Sequence, residues 1–216
     1  MKKKYIIFDF DGTMANTNGI IYESWQATLE HYLGHRLPRE TVEATFGEIL
    51  VYSIGKLIPD APVNEVVDYY RAYQDSHQKG VVSVFDGVYE LMHELRARGH
   101  KIGVATSRTS YSFWNYMKQF DLEDMVDAVV TMDDVTKHKP DPESLMVVLR
   151  KLDPDIDITD AIMIGDTKYD IGCANNAGVD SVLVEWSHYV DEEDMEADGF
   201  APTYRIKTPD ELLELV

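Results

Sequence analysis

A doubly wound α/β fold is what this chain predicts: a parallel sheet with helices on both faces and a helical module inserted after the first strand. Three observations carry that expectation. From residue 83 onward, short apolar runs alternate with stretches of helical periodicity. Several of those runs end in acids or hydroxyls, where α/β sheets place their ligands. Residues 16–82 break the rhythm, with helical spacing and no convincing strand.

Taken in order, Tyr5 to Asp9 is a strand by its apolar, β-favouring content, and Asp9-Phe10-Asp11-Gly12-Thr13 follows directly. Strand residues two apart point to one side, so Asp9 and Asp11 can share a cleft. Ile20, Ile21, Trp25, Leu29, Tyr32 and Leu33 recur at helical spacing, as do Val66, Tyr69, Tyr70 and Tyr73, whose rings suit a core. Val88, Leu91, Met92 and Leu95 give a helix over 87–98, with Gly99 as its stop. A strand over Lys101 to Thr106 leads to a helix over Tyr111 to Phe120, with Phe113, Trp114, Met117 and Phe120 on one side. Val126 to Thr131 is a third strand, and a helix over Asp141 to Leu152 has Pro142 near its first turn. Ala161 to Gly165 is a fourth strand, Tyr169 to Ala177 a helix, Ser181 to Val184 a fifth strand, and Pro209 to Leu215 a terminal helix. The expected division is therefore 1–15 with 83–216 as an α/β core, and 16–82 as a helical module above the first strand's carboxyl end, placed to act as a lid.

Composition narrows the function. The chain has 216 residues, of which 44% are hydrophobic, enough to build a core rather than a disordered chain. A formal net charge of −19 argues against DNA or RNA as a partner, since polyanions are repelled. No run reaches the length of a membrane span, and Met1-Lys2-Lys3-Lys4 is followed by no signal-type apolar segment. Cys173 is the only cysteine, reads as a small buried residue, and fits a reducing compartment; a cytoplasmic protein is expected. His31, His35, His77, His93, His100, His138 and His188 are scattered without zinc-ligand spacing and read mostly as surface residues.

Four segments place chemistry-bearing residues at strand ends. The Asp9/Asp11 pair is the first. Thr106-Ser107-Arg108 offers hydroxyls and free backbone N–H groups suited to a phosphate oxygen. Lys139 lies between Pro140 and Lys137-His138, where proline restrains the backbone. Asp166 ends an apolar strand, and Asp170 lies one helical turn on; the two could ligate a metal or cap the helix. Four acids and a phosphate in one site need Lys139 and a hard cation, which favours Mg²⁺.

These four segments, in this order, resemble the haloacid dehalogenase-like phosphatase superfamily across nearly the whole chain. The resemblance implies a Rossmann-like core with a helical cap of the kind found in phosphoglycolate phosphatases and β-phosphoglucomutases. Thr45-Phe46-Gly47 to Leu57 is similar to that cap's substrate-facing loop and helix. It further implies Asp9 as nucleophile and Asp11 as acid/base. Thr106, Lys139 and the Ser107 backbone would hold the phosphoryl group. Asp9, the Asp11 carbonyl and Asp166 would bind Mg²⁺, and Asp170 would orient the metal's water or Lys139. Departures are Met14, Asn16, His138 before Lys139-Pro140, and Val84-Phe85-Asp86-Gly87 in place of a Pro-Gly pair.

The expected function is an Mg²⁺-dependent phosphatase acting on a small phosphorylated metabolite, phosphoglycolate-like or a sugar phosphate, as a monomer or homodimer. Lys56 and Arg108 are the candidates for a second anionic group on the substrate. A β-phosphoglucomutase-like phosphomutase, a pyrophosphatase and a non-catalytic binding protein on the same fold are the alternatives.

Overall fold

The computed structural model describes residues 2–187, 195 and 198–216; Met1 and His188 lie outside them. The chain opens with β1 (Tyr5–Phe8) and the two-residue β2 (Ala15–Asn16), then runs through α1 (Asn18–Leu33), α2 (Arg39–Glu43), α3 (Leu50–Leu57) and α4 (Val63–His77). It returns through β3 (Ser83–Val84), α5 (Val88–Ala97), β4 (Lys101–Ala105), α6 (Ser110–Gln119), β5 (Ala128–Val130) and α7 (Glu143–Leu152). It continues with β6 (Ala161–Gly165), α8 (Lys168–Ala177), β7 (Asp180–Val184) and β8 (Tyr204–Ile206), and a short helix, Leu212–Leu215, closes the chain.

Six strands form one parallel sheet in the order β5-β4-β1-β6-β7-β8. The fold is the expected α/β one, with a Rossmann-like core. β1 is central, and its four residues are all buried, as a strand covered on both faces must be. Ile6, Phe8, Ile102, Val104, Phe113 and Met117 belong to the apolar layer on one face, whereas Ile7, Leu145, Val148, Met163 and Ala174 belong to the layer on the other. Because β4, β1 and β6 are neighbours, the segments that follow their carboxyl ends emerge side by side. That places residues 9–13, 106–109 and 166–170 around one opening.

Between β2 and β3, the four helices surround an apolar cluster of their own, with Trp25, Leu29, Val42, Ile54, Val66 and Tyr70. β2 and β3 pair antiparallel, Ala15 opposite Val84, so the chain's exit to these helices and its return are clasped together. This pair, too short to show a period, was not expected. Neither was β8, where only Ile206 of the three residues is buried.

Other differences are local. The third expected strand is confined to 128–130, and the terminal helix begins as a 3-10 turn over Pro209–Glu211. Tyr70 is core, but Tyr69 and Tyr73 are only half-buried and stack on His31 and His77. His100, expected at the surface, is buried with its Nδ1 2.8 Å from the Lys3 carbonyl; burial pushes its pKa down. Cys173 is buried, as expected. No helix among the described residues is long and apolar enough to cross a membrane.

Candidate active site

β1 delivers Asp9, and the backbone turns at Gly12 with φ +75°. A Cβ there would overlap the Asp166 carboxylate, so only glycine lets the turn lie against that acid. Asp9 is 6% exposed and its Oδ1 accepts a 2.7 Å hydrogen bond from Lys139 Nζ. The same ammonium donates to Asp170 Oδ1 at 2.5 Å and to the Ala105 carbonyl, at the end of β4, at 3.2 Å. All three of its donors are thereby directed, as a buried lysine requires.

Asp170 also caps its own helix: Oδ2 accepts from the Thr167 backbone N–H at 3.0 Å and from the Thr167 hydroxyl at 2.7 Å. The residue therefore performs the capping role left open by the sequence while also holding Lys139. Asp166 Oδ1 accepts from the Thr13 hydroxyl at 3.3 Å, and Oδ2 from the Ser187 hydroxyl at 2.5 Å. Ser187 in turn accepts from Asn18 at the start of α1, 2.8 Å away, which ties the helical segment to an acid of the core.

Asp9, Asp166 and Asp170 each bring one oxygen to within 4.8 Å of the others, a grouping suited to a metal ion. The charges there are costly. Burial pushes Asp9 up to about 7; Lys139 pulls it back only in part, and Asp170 and Asp11 push it further. Burial, then Asp170 and Asp9, hold Asp166 well above the usual carboxylate range. For Lys139, burial opposes the charge, but Asp170 and Asp9 overcome it and the ammonium stays above an ordinary lysine. Three buried carboxylates facing one ammonium leave an excess of negative charge that a divalent cation would balance.

The Asp11 carboxylate is not part of that group. Arg108 donates from Nε to both of its oxygens, at 2.9 and 2.7 Å, and from Nη2 to Oδ1 at 2.7 Å. Thr17 adds a 2.6 Å bond to Oδ1. Arg108 is only 9% exposed, reaches Ser112 and Gln74, and lies 4.7 Å from the Tyr116 ring centre. Burial opposes its charge, yet Asp11 outweighs this and holds the guanidinium fully protonated. The sequence flagged Arg108 but gave no hint of Asp11 as its partner.

These groups open into a cavity of about 470 Å³ between the sheet edge and the helical segment. Asp9, Asp11, Ser107, Arg108, Lys139 and Asp166 line it from the core, and Phe46, Gly47, Leu50, Arg71 and Gln74 from the helices. Gly47 (φ +83°) brings the helical segment against the core: a Cβ would sit 2.6 Å from Thr167 Oγ1, and its carbonyl accepts from the Ser107 hydroxyl at 3.1 Å. Thr106 is buried just below, its hydroxyl accepting from the Arg108 backbone N–H at 3.2 Å. Lys56 does not reach the cavity; its ammonium is exposed and paired with Glu48 at 2.5 Å. His138 is half-buried, its ring edge-on to Tyr52 of α3. Sequence reasoning named Thr13 within its motif but gave it no role, and missed Ser187 and Arg71, although the hydroxyl of Ser187 just beyond β7 follows the strand-end pattern that flagged the others.

Comparison with known proteins gives a consistent picture. A family model described as haloacid dehalogenase-like hydrolase matches residues 6–184. Pyrophosphatase PpaX of Bacillus mycoides is 36% identical over 187 residues, 87% of this chain and 86% of that protein. A crystal structure of a candidate phosphoglycolate phosphatase from Lactobacillus plantarum superposes with a TM-score of 0.85 at 24% identity, covering 100% of both chains. A candidate phosphatase from Clostridium acetobutylicum gives 0.82 at 25% identity, covering 100% of this chain and 98% of its own.

Proposed function

The chain belongs to the haloacid dehalogenase-like hydrolases and is an enzyme of their phosphatase kind, and from that premise we propose that it hydrolyses a small phosphorylated metabolite through a phosphoaspartate on Asp9. The observation that carries this reading is Asp9 itself: a buried carboxylate at the tip of the central strand, held by Lys139 and facing the cavity between sheet and helices.

Asp9 attacks phosphorus with the oxygen that Lys139 does not hold. Lys139, Thr106 and the Ser107 backbone steady the phosphoryl oxygens, and their role is positioning and charge stabilisation. Asp11 gives its proton to the leaving oxygen and later takes one from the hydrolytic water. Arg108 shapes that exchange. Asp11 Oδ1 accepts from Arg108 and Thr17 and Oδ2 from Arg108 Nε, so the guanidinium fixes the direction in which the carboxyl group is presented. Gly47 and Phe46 line the site from the helical segment and limit the entry of bulk water during transfer to Asp9, while a single water reaches phosphorus for the hydrolytic step.

The donor set fits Mg²⁺, since the gathered ligands are hard oxygens carrying surplus negative charge. Asp9 and Asp166, with the Asp11 carbonyl, would hold it, and Asp170 would act through Lys139. Bound there, the ion supplies positive charge to offset that of the transferring group. Residues 16–82 act as a lid on the core formed by 1–15 and 83–216, and the lone buried thiol suits a cytoplasmic enzyme.

The Bacillus relatives are named pyrophosphatases, which makes inorganic pyrophosphate the first substrate to try, followed by phosphoglycolate-like acids and sugar phosphates. A phosphate-release screen with Mg²⁺, ranked by kcat/KM, tests the proposal. Release of phosphate from at least one such compound, lost in Asp9→Asn, is expected. Turnover that survives that substitution refutes the nucleophile.

A further inference from the structure

The cavity holds more cationic groups than phosphoryl transfer from a plain ester uses. Three line it: Lys139, Arg108 and Arg71. Lys139 is committed to Asp9 and Asp170, and Arg108 to Asp11. Arg71 has no hydrogen-bond or ion-pair partner among the described residues. Of the acids that line the cavity nearby, Glu48 is paired with Lys56 and Ser53, and Asp75, which accepts from Gln78 at 3.3 Å, makes no ion pair with Arg71.

Position gives this free guanidinium a direction. Arg71 lies on α4 three residues before Gln74, hence a neighbour one turn away, at the exposed edge of the buried face that carries Gln74. Gln74 is buried and meets Arg108 at 3.5 Å, and Arg108 holds Asp11. Arg71 therefore lines the cavity one helical turn from the residue that meets Arg108, and Arg108 in turn holds Asp11, the acid assigned to the leaving group. A leaving group that brought a negative charge there would find Arg108 already neutralised by Asp11. The cation left to receive it is Arg71, a planar fork suited to phosphate or carboxylate.

We propose that Arg71 is a specificity-determining residue that receives a second anionic group, phosphate or carboxylate, on the leaving side of the substrate. The enzyme then selects doubly anionic substrates over phosphate esters with neutral tails. The inference takes the phosphatase reading of the site as its basis, and it replaces Lys56, which is paired with Glu48 and does not line the cavity.

Binding can be measured without turnover. Isothermal titration calorimetry at fixed free Mg²⁺ compares methylenediphosphonate and phosphonoacetate, each with two anionic groups, against methylphosphonate, which has one. The unmodified protein is expected to bind one of the two-anion probes about tenfold or more tightly than methylphosphonate. Which of the two gains identifies phosphate or carboxylate as the second group. Arg71→Gln is expected to remove most of that advantage, and Arg71→Lys to restore part of it. Equal affinities in the unmodified protein, or an advantage that survives Arg71→Gln, overturn the proposal. Phosphate release is scored separately: its absence with an Arg71-dependent preference intact defeats the catalytic reading and leaves the anion site standing.

Discussion

Lys139→Met tests the electrostatics of the site most directly. Lys139, Asp9 and Asp170 are 3%, 8% and 1% exposed at their side chains, so water cannot replace the ammonium once it is gone. Removing one partner of a buried ion pair costs about 3–5 kcal/mol, because an uncompensated charge is left behind. For a chain of this size that corresponds to a fall in Tm of about 6–20 °C. The loss depends on pH, with a definite sign. Burial raises Asp9 from its ordinary value of 3.8 to about 7 in the folded protein. The native state therefore holds a proton that the unfolded chain releases, and stability falls as pH climbs from the first value through the second. Lys139 is what limits that rise, so without it the folded carboxyl titrates higher still and the fall is deeper. Thermal unfolding followed by circular dichroism, in EDTA near pH 5 and near pH 8, should show a larger deficit for Lys139→Met at the higher pH. Mg²⁺ should recover part of it. A deficit of under about 1 kcal/mol, or one equal at the two pH values, would refute the claim that Lys139 neutralises a buried acid cluster.

Four further outcomes are expected. Asp9→Asn abolishes phosphate release and the phosphoaspartate seen by mass spectrometry, with an unchanged circular dichroism spectrum. Chelation of divalent ions silences the enzyme and Mg²⁺ restores it; full activity in excess EDTA contradicts the metal site. Ser187→Ala removes the 2.5 Å bond that orients Asp166 and should weaken Mg²⁺ binding about tenfold, read by titration calorimetry. Phe113→Ala empties a fully buried site against Phe10 and should cost about 3–5 kcal/mol in urea unfolding.

The sequence was informative where local chemistry alone decides the outcome. β1 and β6 are continuous apolar runs because both sheet faces are covered, so both strands could be placed from composition, and β6 spans the residues expected for it. The periodicity of α1 and α4 announced helices. β8 was not legible, since Tyr204 and Arg205 are exposed and only Ile206 marks an inner face. At the site, Asp9, Thr106 and Asp166 declared themselves by lying at strand ends, whereas Lys139 lies nine residues beyond β5, past a 3-10 turn. Their pairing did not. Arg108 with Asp11, and Ser187 with Asp166, are contacts between distant segments whose side-chain directions depend on the assembled sheet. Lys56 and Arg71 show the same limit from the other side. Both are cations of the helical segment, and only the way α3 and α4 dock decides which one faces the cavity.

Lys139 meets Asp9 across 130 positions of chain, and Asp166 meets Thr13 across 153. During synthesis Asp9 leaves the ribosome well before Lys139 and Asp166 exist. At about 5–20 residues per second, Asp166 follows it by roughly ten to thirty seconds. Through that interval a nascent chain carries a reactive-looking acid with nothing to activate it. A product of interrupted translation is inert for the same reason, so hydrolytic power reaches the cell only in molecules whose synthesis is almost finished.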